Sequence, residues 1–447
     1  MSIRQQSTGL EMENHWMKIA VVGAGIGGMA AAFDLVNAGH EVTIYEAGSQ
    51  VGGLASGFKE DHWDWTMEHY YHHWFTTDRS IQDLMDELGL RKNMWFRKVK
   101  TVAYHKDKFY PLDSPLAALK FPGFNLFDMI RFGLVTAYLR YFSTWKNFEK
   151  VTAVDWIQQV YGKNLYRVFF EPLLVGKFGP YYDRVNMAWL WARFKVRSTA
   201  LGSYQGGFQA FNDQFAVILQ NRGVKIRLST PVSQIVPGED GLLKITSENG
   251  EESYQRCLVT VSPGLLARMA PTLPGEYLKE LLNLKHLGAV VMIFSLRYPL
   301  SPEGYYWYNL PKDAGFPFLA LVEHTNFISR EHYGGDHLVY CGDYLAPEHE
   351  YFQLSKEELA ERFMPSLKKI NPNFSPDWIR QTWLFSSAYA QPVPELDHSK
   401  NIPSIKTPVK GLYFASMSQV YPWDRGTNFA VMIARQAAKQ IIAESTS

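Results

Sequence analysis

Three glycines near the N-terminus have the spacing of a phosphate-binding turn. The apolar run Lys18–Val22 precedes them, and an alanine-rich segment that stops at Gly39 follows. In this pattern the first glycine makes a tight bend, the second lets the backbone approach a pyrophosphate, and the third lets a helix pack on the strand. The helix N-terminus offers free N–H groups and a partial positive charge to that pyrophosphate. The residues that we expect to contact it are Gly23, Gly25, Ile26, Gly27 and Gly28.

A carboxylate after the next predicted strand indicates recognition of a sugar. The strand is Glu41–Tyr45, and Glu46 follows it directly, about 20 residues beyond the glycines. A carboxylate at this point accepts hydrogen bonds from ribose hydroxyls and repels a 2′-phosphate. We therefore expect Glu46 and Ala47 to contact the sugar of a dinucleotide. The alternative is an ordinary strand–helix–strand unit without a nucleotide, which so many positions in register disfavour.

A second glycine pair extends the pattern beyond the carboxylate. The sequence continues as Gly52-Gly53-x-x-Ser56. This extension resembles the FAD fingerprint of glutathione-reductase-like flavoproteins more than the NAD-binding unit of dehydrogenases. The resemblance implies that FAD is the cofactor. It also implies that the residues alongside the pyrophosphate and the flavin are Gly52, Gly53, Leu54, Ala55 and Ser56.

The densest cluster of histidines and aromatic residues is HWDWTMEHYYHHWF, residues 62–75. His69, His72 and His73 are spaced i, i+3 and i+4, so on a helix they would share one face. A metal site and a pocket wall that exchanges protons are the two functional interpretations, and satisfied histidines in a wet aromatic wall are the structural one. Because a flavin needs no metal and no carboxylate is clearly paired with the histidines, we predict no metal site.

Composition limits the class of protein. A chain of 447 residues is too long for one simple core and predicts two domains. The net charge of +1 does not indicate a nucleic acid partner. Cys257 and Cys341 are far apart, so we expect neither a metal or dithiol site nor a disulfide framework, as is typical of a reducing cytoplasm. Residues 1–16 lack the apolar core of a signal peptide and predict a disordered tail, and no apolar run of about 18 residues predicts a membrane-spanning helix.

The order of the predicted elements indicates interleaved domains. After the glycine unit the chain becomes aromatic and helical, and Gly206-Gly207 then precedes an amphipathic helix, Phe208–Asn221. Strand-like runs within 288–345 predict an antiparallel sheet in a second domain. The chain ends in a strand, an aromatic loop and a helix that opens near Thr427. Further helices are predicted over 78–90, Val154–Phe170 and Ser355–Ile370, and further strands over Lys225–Ser229, Cys257–Val261 and Trp378–Phe385.

One predicted helix, from Asn125 to about Phe142, has a strongly apolar side. Asn125 and Asp128 form a capping-box pair at its start. The helix is either a lid packed on its own domain or a contact with a membrane surface from which an apolar substrate is drawn. Its polar side carries Asp128, Arg131, Thr136 and Arg140, and the apolar side carries Phe127, Ile130, Leu134, Tyr138 and Tyr141.

With these features in view, the chain is similar to protoporphyrinogen-oxidase-like proteins of the flavin-containing amine oxidoreductase superfamily, which also includes phytoene-type desaturases. The glycine unit and stretches such as EHYYHHWFTTDRS, FEPLLVGKFGPYY and YPWDRGTNFAV carry the resemblance, which is closest to a bacterial group of NAD(P)/FAD-dependent oxidoreductases. It implies an α/β fold in which a Rossmann-like FAD-binding domain of glutathione-reductase type is interleaved with a substrate domain of mixed sheet and helices with a helical lid. The FAD-binding domain would comprise 17–77, 205–265 and 385–447, and the substrate domain 78–204 and 266–384.

The resemblance also implies roles for residues outside the glycine unit. Val232 would hold the adenine edge through its backbone, and Ser262 and Ser416 would lie beside the cofactor. Many relatives have a glycine pair or Gly-Asp where this chain has Ala415-Ser416-Met417, which is a departure at the pyrophosphate. A helix N-terminus at the N1–C2=O edge of the flavin would stabilise the negative charge of the reduced ring. The loop that supplies it consists of Trp423, Asp424, Arg425, Gly426, Thr427 and Asn428.

By the same resemblance, the histidine cluster passes the reactive side of the flavin. Glu68, His69 and Tyr70 are the candidate catalytic residues, and Met67, Glu68 and His69 are expected to contact the cofactor. We expect no dedicated NAD(P)H site, because Cys257–Pro263 lacks the glycine triplet. The residues predicted to line the substrate pocket are Tyr71, His72, His73, Glu323, His324, Tyr389 and Gln391.

Together these inferences predict an FAD-dependent oxidoreductase that dehydrogenates an apolar or conjugated small molecule by hydride transfer to flavin N5. The alternative is a UDP-galactopyranose mutase-like enzyme without net redox change, which needs arginines and tyrosines to clamp a diphosphate. A third interpretation is a flavoprotein with a structural or partner-binding role. We expect a cytoplasmic protein without a nucleic acid partner, with peripheral membrane contact as an option and oxygen or a quinone as candidate electron acceptor. The residues available for a diphosphate clamp are Tyr181, Tyr182, Arg184, Arg193 and Arg197.

Overall fold

The strands pair into two main sheets and three small ones within residues 16–445, the part of the chain that a computed structural model describes. The tail predicted over 1–16 lies outside the described residues, apart from Trp16. In chain order the strands are β1 Lys18–Val22, β2 Glu41–Tyr45, β3 Gly57–Phe58, β4 Met67–Glu68, β5 Trp74–Phe75, β6 Met94–Lys98, β7 Thr101–His105, β8 Lys108–Pro111, β9 Ala200–Tyr204, β10 Lys225–Arg227, β11 Val232–Pro237, β12 Leu243–Ser247, β13 Gly250–Tyr254, β14 Arg256–Val259, β15 His286–Leu296, β16 Trp307–Asn309, β17 Ala320–Glu323, β18 His337–Leu345, β19 Ile379–Pro392 and β20 Leu412–Phe414.

The α-helices surround these sheets. Two π-helical turns, Tyr138–Phe142 and Tyr166–Phe170, continue the helices α4 and α6 given below. Among the described helices, none is long and apolar enough to cross a membrane. In chain order the helices are α1 Ile26–Asn37, α2 Arg79–Glu87, α3 Pro115–Leu119, α4 Leu126–Ala137, α5 Ala153–Val160, α6 Lys163–Leu165, α7 Glu171–Phe178, α8 Met187–Val196, α9 Phe208–Asn221, α10 Pro263–Met269, α11 Gly275–Asn283, α12 Lys356–Ile370, α13 His398–Asn401 and α14 Thr427–Ser445.

The first main sheet is parallel and has the strand order β10-β2-β1-β14-β20. The sequences of β1 and β2, KIAVV and EVTIY, are buried after their first residue, as a parallel sheet covered on both faces requires. Helix α1 connects these two strands and packs with α14 in one apolar cluster. The carboxyl ends of β1, β2, β14 and β20 therefore meet at one edge, where such sheets bind ligands.

The second main sheet has the order β19-β15-β18-β17-β16-β7-β8 and is antiparallel except between β16 and β7. Strand β18 is buried at every residue and β15 at every residue after the first, so both faces of the sheet are covered. Helix α12 packs on one face through Phe363 and Leu367, and aromatic residues such as Trp63 and Tyr333 cover the other. The predicted α/β class with a second, mixed sheet is confirmed.

Two predicted elements differ in extent from the observed ones. The helix predicted over Val154–Phe170 is interrupted, because α5 ends at Val160 and Gly162 adopts a φ of 95° that favours glycine. Strand β19 continues past its predicted end at Phe385 to Pro392, because it pairs with β15 along nearly its whole length. The domain boundaries assigned from the sequence remain a prediction.

Helix α4 and the π-helical turn after it expose their apolar side. The predicted capping box at the start of α4 is present. Most of the polar side faces the protein: Asp128 is buried, and Thr136 and Arg140 make hydrogen bonds to neighbouring segments, whereas Arg131 is exposed. Phe132 and Leu139 are buried on the same inward side. The exposed apolar residues, which we call the α4 face, are Leu126, Phe127, Ile130, Leu134, Tyr138, Tyr141 and Phe142.

Candidate functional site

A cavity of about 390 Å³ lies at the carboxyl edge of the parallel sheet. Residues that follow β1, β2, β14 and β20 line it on one side, and residues of β15, β18 and β19 line it on the other. We call it the glycine-turn cavity. The sequence-predicted residues that line it are Gly23, Gly25, Ile26, Gly27, Gly28, Glu46, Gly52, Gly53, Leu54, Ala55, Tyr70, Tyr71, His72, Ser262, Tyr389, Ser416, Arg425, Gly426 and Thr427.

Two glycines of this cavity, Gly28 and Gly53, lie close to neighbouring backbone. A Cβ on Gly28 would stand 2.0 Å from the carbonyl oxygen of Gly23, and a Cβ on Gly53 would stand 3.2 Å from the Cα of Gly25. Gly52 adopts a φ of 115°, which also favours glycine. The two glycine turns therefore form a bare backbone surface with the N-terminus of α1 behind it. Such a surface fits the pyrophosphate of a dinucleotide.

A carboxylate and a second helix N-terminus form one end of the cavity. Glu46 accepts the backbone N–H of Ala24 at 2.7 Å and that of Gly48 at 2.8 Å, which fixes its carboxylate beside the first glycine turn. Ser262 caps α10 and lines the cavity together with Leu265. This end fits a ribose. Of the other predicted contacts at this end, Ala47 is exposed and Val232 begins β11, and neither lines the cavity.

The loop before α14 forms another part of the wall and is held in place by charges beneath it. Arg425, Gly426 and Thr427 line the cavity, and α14 begins at Thr427. Asp424 points away from the cavity and accepts a hydrogen bond from Arg193 at 3.0 Å, with the Lys177 ammonium 3.8 Å away. Burial raises the pKa of Asp424, but the neighbouring cations lower it more, so its pKa shifts downward.

Residues on both sides of this loop connect it to the rest of the molecule. The hydroxyl of Thr427 accepts the indole N–H of Trp74 at 2.8 Å, and the side chain of Asn428 accepts the backbone N–H of Ile81 at 3.1 Å. Trp423 stacks on Phe429 with a ring separation of 5.7 Å. Trp423 and Asn428 therefore support the loop without lining the cavity.

The histidine cluster is not helical, because it runs between the short strands β4 and β5. Its histidines consequently do not share a helix face. His72 lines the glycine-turn cavity, and its Nδ1 donates to the carbonyl of Tyr70 at 2.6 Å. Burial lowers the pKa of His72 to about 4 and that of His73 to about 3. Across residues 16–445, no group of three or more His, Cys, Asp or Glu side chains could hold a metal ion.

Two of the three candidate catalytic residues make contacts outside the cavity wall. The Nδ1 atom of His69 lies 3.1 Å from the hydroxyl of Ser56, and its ring packs on Phe385 at 4.2 Å. Glu68 is fully buried beside Met67 and accepts the backbone N–H of Phe208, the first residue of α9, at 2.8 Å. Burial raises the pKa of Glu68 to about 7. Tyr70 is the candidate catalytic residue that lines the cavity.

The predicted pocket residues also divide into those that line the cavity and those that lie elsewhere. Tyr389 lines the cavity, and Gln391 lies behind it and accepts the Arg425 Nε–H at 2.8 Å. Glu323 accepts the backbone N–H groups of Leu300 and Ser301 inside the second domain. His324 lies 2.7 Å from the hydroxyl of Tyr333, also away from the cavity.

Sequence reasoning predicted Tyr389 of β19 but missed the residues that β15 and β18 contribute to the cavity. Asp343 and Tyr344 come from β18, and Ala289 and Val291 from β15. Asp343 pairs with Lys312 at 2.9 Å, and burial raises its pKa to about 7. The signal available in the sequence was this carboxylate within an otherwise apolar strand.

A larger cavity of about 890 Å³ lies between the second sheet and the helices α3, α7 and α8. We call it the arginine cavity. Its apolar wall includes Phe121, Phe169, Phe194, Leu190, Leu310 and Leu319, and its basic residues are His105, Lys106, Arg140, Arg167, Arg193 and Arg197.

The residues considered for a diphosphate clamp do not gather at one point. Arg193 and Arg197 line the arginine cavity. Arg184 instead forms an exposed ion pair with Glu395 at 2.6 Å and lies over the ring of Tyr181. Tyr182 packs against the helical cluster and lines neither cavity.

Comparison with known families identifies relatives along nearly the whole chain. The family model described as flavin containing amine oxidoreductase matches residues 26–442. A zeta-carotene desaturase from Synechocystis sp. is 38% identical over 78 residues, which cover 17% of this chain and 16% of the relative. A carotenoid phi-ring synthase from Streptomyces griseus is 25% identical over 283 residues, or 57% of this chain and 54% of the relative. The chain thus matches at most about half the length of these curated relatives.

Solved structures of the same fold cover almost all of the chain. A protoporphyrinogen-oxidase-like protein from Exiguobacterium sp. 255-15 superposes with a TM-score of 0.75 at 18% identity, covering 96% of this chain and 99% of the other. Reduced UDP-galactopyranose mutase gives a TM-score of 0.76 at 16% identity, with coverage of 96% and 95%. A triple mutant of putrescine oxidase gives a TM-score of 0.70 at 18% identity, with coverage of 96% and 99%. At these identities the superpositions establish a shared fold.

Proposed function

The chain belongs to the flavin-containing amine oxidoreductase family and is a flavin-dependent oxidoreductase, and from this we propose that it binds FAD and dehydrogenates an apolar or conjugated small molecule. The family is the one that the sequence resemblance predicted. The observation that carries the proposal is the glycine-turn cavity, which joins a ribose-side carboxylate, two bare glycine turns and the start of α14. These are the parts that an adenosine, a pyrophosphate and a flavin ring need in turn.

Different residues of this cavity would bind different parts of FAD. Glu46 would bind the ribose, the turns at Gly25 and Gly53 the pyrophosphate, and the start of α14 would stabilise negative charge at the flavin ring. When bound, FAD supplies the hydride acceptor. Tyr71 and His72 would form the wall opposite α14, where a substrate can be oriented.

The ionisable groups of that wall are uncharged at neutral pH. Burial lowers the pKa of His72 to about 4 and raises the pKa of Tyr71 well above its usual value. Arg425 and Asp343 are the exceptions: burial lowers the pKa of Arg425 to about 10, and Asp343, whose pKa burial raises to about 7, pairs with Lys312. Because charged groups are rare at the wall, it favours a substrate that is uncharged at the reacting bond. Curated relatives that are named for carotenoids support a conjugated substrate.

The test of this proposal is spectroscopic. Purified protein should be yellow and release about one FAD per chain on denaturation. Under anaerobic conditions, members of tetrapyrrole, polyene and amine panels should be offered, and an apolar or conjugated member should bleach the flavin. Colourless protein that takes up no FAD would refute the cofactor, and bleaching by none of the apolar members would refute the substrate class. A flavoprotein with a structural role would keep its FAD but show no ligand-induced spectral change.

We also propose that the α4 face binds the cytoplasmic surface of a membrane. Its side chains project outward while most of the polar side of the same helix, including the buried Asp128, faces the protein, which is the reverse of an ordinary surface helix. The exposed cations Lys120, Arg131 and Lys146 lie in the same segment of chain and would interact with anionic lipids. Arg140, which follows α4 in the chain, also lines the arginine cavity.

Substitution of two residues of the α4 face should weaken binding to vesicles. Phe127 is 82% exposed and Leu134 68% exposed. The double variant Phe127→Ser/Leu134→Ser should lower the affinity for phosphatidylglycerol-containing vesicles by at least about tenfold, because each side chain loses the free energy of entering the lipid. Co-sedimentation would measure this, with Leu282→Ser, a 58% exposed leucine on α11, as the matched control. Equal sedimentation of the double variant and the wild type would refute the membrane contact.

A mutase without net redox change is a second candidate, favoured by the two arginines that share the arginine cavity. Arg193 and Arg197 would have to bind the diphosphate of a sugar nucleotide. UDP-galactose should then bind saturably and more tightly when the flavin is reduced. The oxidoreductase proposal predicts no such binding.

A further inference from the structure

Positive charge exceeds negative charge where the two cavities approach each other. Lys177 and Arg193 lie 3.8 and 3.0 Å from one carboxylate, Asp424, which directly precedes Arg425 in the chain. Burial lowers the pKa of Lys177 well below its usual value, and the charges of Arg425, Arg193 and Arg197 lower it further. The second carboxylate near this region, Asp343, is already paired with Lys312. Of these cations Arg197 is exposed, so an anion that enters from solution can reach it.

Arg197 is the cation of this group that has no partner. Arg193 is paired with Asp424, and Arg425 donates to Gln391. Within residues 16–445, by contrast, no carboxylate lies within 4 Å of the Arg197 guanidinium, which makes no hydrogen bond to the protein. Its side chain is open to the arginine cavity, while the surrounding protein lowers its pKa to about 9, so it stays charged at neutral pH.

The fold holds Arg197 at the edge of the cavity. It is the residue that directly follows α8, and Arg140 donates to the carbonyl oxygens of Phe194 and Arg197 at 3.0 and 3.3 Å. The guanidinium of Arg197 lies over the ring of Phe75 at 5.9 Å. It lies close enough to His73 to lower the pKa of that side chain, as does Arg425 from the glycine-turn cavity. Arg197 is thus positioned near the junction of the two cavities.

Much of the rest of the arginine cavity wall is apolar, although the carboxylate Asp313 and further basic side chains also line it. Phe169, Phe194, Leu190 and Leu319 contribute to its wall, and its volume of about 890 Å³ exceeds that of the glycine-turn cavity. Ala118 and Phe121, which precede α4 in the chain, also line it.

We propose that the arginine cavity binds an anionic amphiphile, whose carboxylate or phosphate group pairs with Arg197 while its apolar or conjugated body packs on the aromatic wall. This proposal adds a substrate class to the proposed function. It rests on that function in one respect, namely that the amphiphile is the substrate presented to the flavin. A neutral hydrocarbon of the same length would leave Arg197 unpaired, so the site discriminates against it.

Binding of matched probes to the FAD-loaded full-length protein tests the proposal. The probes are oleate and dodecyl phosphate as anions, and oleyl alcohol and dodecanol as their neutral counterparts, with dissociation constants from calorimetry and from shifts in the flavin spectrum. The wild type should prefer the anions. Arg197→Met should weaken anion binding on the order of tenfold to a hundredfold, as expected for a lost hydrogen bond to a charged group, and leave neutral binding within about twofold.

Control variants separate loss of charge from loss of fold. Arg197→Lys should retain most of the anion preference, and Arg362→Met, which removes an exposed arginine paired with Glu350 on the far side of the second sheet, should bind as the wild type does. If Arg197→Met does not fold, the wild-type preference and the Arg197→Lys result still decide the matter.

Several outcomes would overturn the proposal. They are equal wild-type affinity for anions and alcohols, unchanged anion affinity in Arg197→Met, and binding of UDP-galactose without binding of either anionic amphiphile. The relative affinity of oleate and dodecyl phosphate identifies the head group. If anions bind through Arg197 but no conjugated substrate bleaches the flavin, the proposed function fails while the site stands. If neutral polyenes alone bleach the flavin, the proposed function stands while the proposal of an anionic substrate fails.

Discussion

The two cavities of this molecule recognise their ligands by different means. The glycine-turn cavity is formed largely by backbone at the edge of a parallel sheet, and the histidine and tyrosines in its wall are neutral. The arginine cavity is formed by side chains from separate helices and strands, and it carries unpaired positive charge. Asp424 lies between them, since its neighbour Arg425 lines the first cavity and its partner Arg193 lines the second.

This difference shows how cofactor and substrate recognition are separated in one chain. A backbone site holds groups that every member of a family shares, because main-chain N–H groups and helix N-termini are the same in every sequence. A side-chain site depends on which arginine or leucine stands at each position, so it is where specificity is set. Variants at the two cavities should therefore fail in different ways.

The largest effect is expected when a side chain is added to the first glycine turn. In Gly28→Ala the new Cβ would lie 2.0 Å from the carbonyl oxygen of Gly23, so β1 and α1 would have to separate. The variant should lose its bound FAD and at least about 3 kcal/mol of stability, at the upper end of the cost of overpacking. Flavin absorbance per chain and thermal unfolding measure both.

Gly133→Ala is the matched control, because nothing lies within 4 Å of a Cβ at this helical position. It should keep its FAD and gain up to about 1 kcal/mol of stability. Retention of FAD by Gly28→Ala would mean that the glycine turn does not hold the cofactor.

The next largest effect is expected at the carboxylate between the cavities. Asp424→Asn would leave Lys177 and Arg193 buried without a counter-charge, which should cost about 4 kcal/mol of stability. FAD affinity should also fall, because Lys177 and Arg193, left without a counter-charge, would no longer hold the loop before α14 in place. Chemical denaturation and FAD titration test this, with exposed Asp183→Asn expected to stay within about 0.5 kcal/mol of the wild type. An Asp424→Asn protein as stable as the control would show that anions from solution, rather than Asp424, neutralise the cluster.

The sequence predicted the first cavity far better than the second. The turns at Gly23 and Gly52, the carboxylate Glu46 and the start of α14 follow from local spacing, because one backbone geometry requires each of them. The arginine cavity depends on contacts between residues distant in the chain, such as Arg193 with Asp424, and local patterns do not contain these pairings. The sequence did reveal the two sides of α4, but only tertiary packing determines which side faces outward.

A smaller, pH-dependent effect is expected from Glu68 beneath the glycine-turn cavity. Burial raises its pKa in the folded protein from 4.5 to about 7, so the folded state prefers the protonated carboxyl. The protein should therefore lose stability as the pH rises from about 4.5 through 7, by up to about 3 kcal/mol. Glu68→Gln can still accept the N–H of Phe208 and should remove this loss. Unfolding free energies of both proteins at pH 5 and pH 8 test the prediction, and an identical pH dependence in the two would contradict it.

The smallest effect is expected from two histidines of the same cluster, His69 and His72. His72 lines the glycine-turn cavity, whereas His69 contacts Ser56 and Phe385 beside it. We predict that His69→Ala leaves FAD bound and changes the flavin spectrum or its rate of reduction by a few-fold, because it alters the packing next to the wall. His72→Ala should change the rate more, since it opens the wall itself. Stopped-flow reduction of the flavin measures both variants. If His69→Ala instead lowers the rate of flavin reduction by roughly a hundredfold, as expected when general acid–base catalysis is lost, His69 is a catalytic residue. The uncharged residues of the cavity wall would then depend on this proton carrier outside the wall.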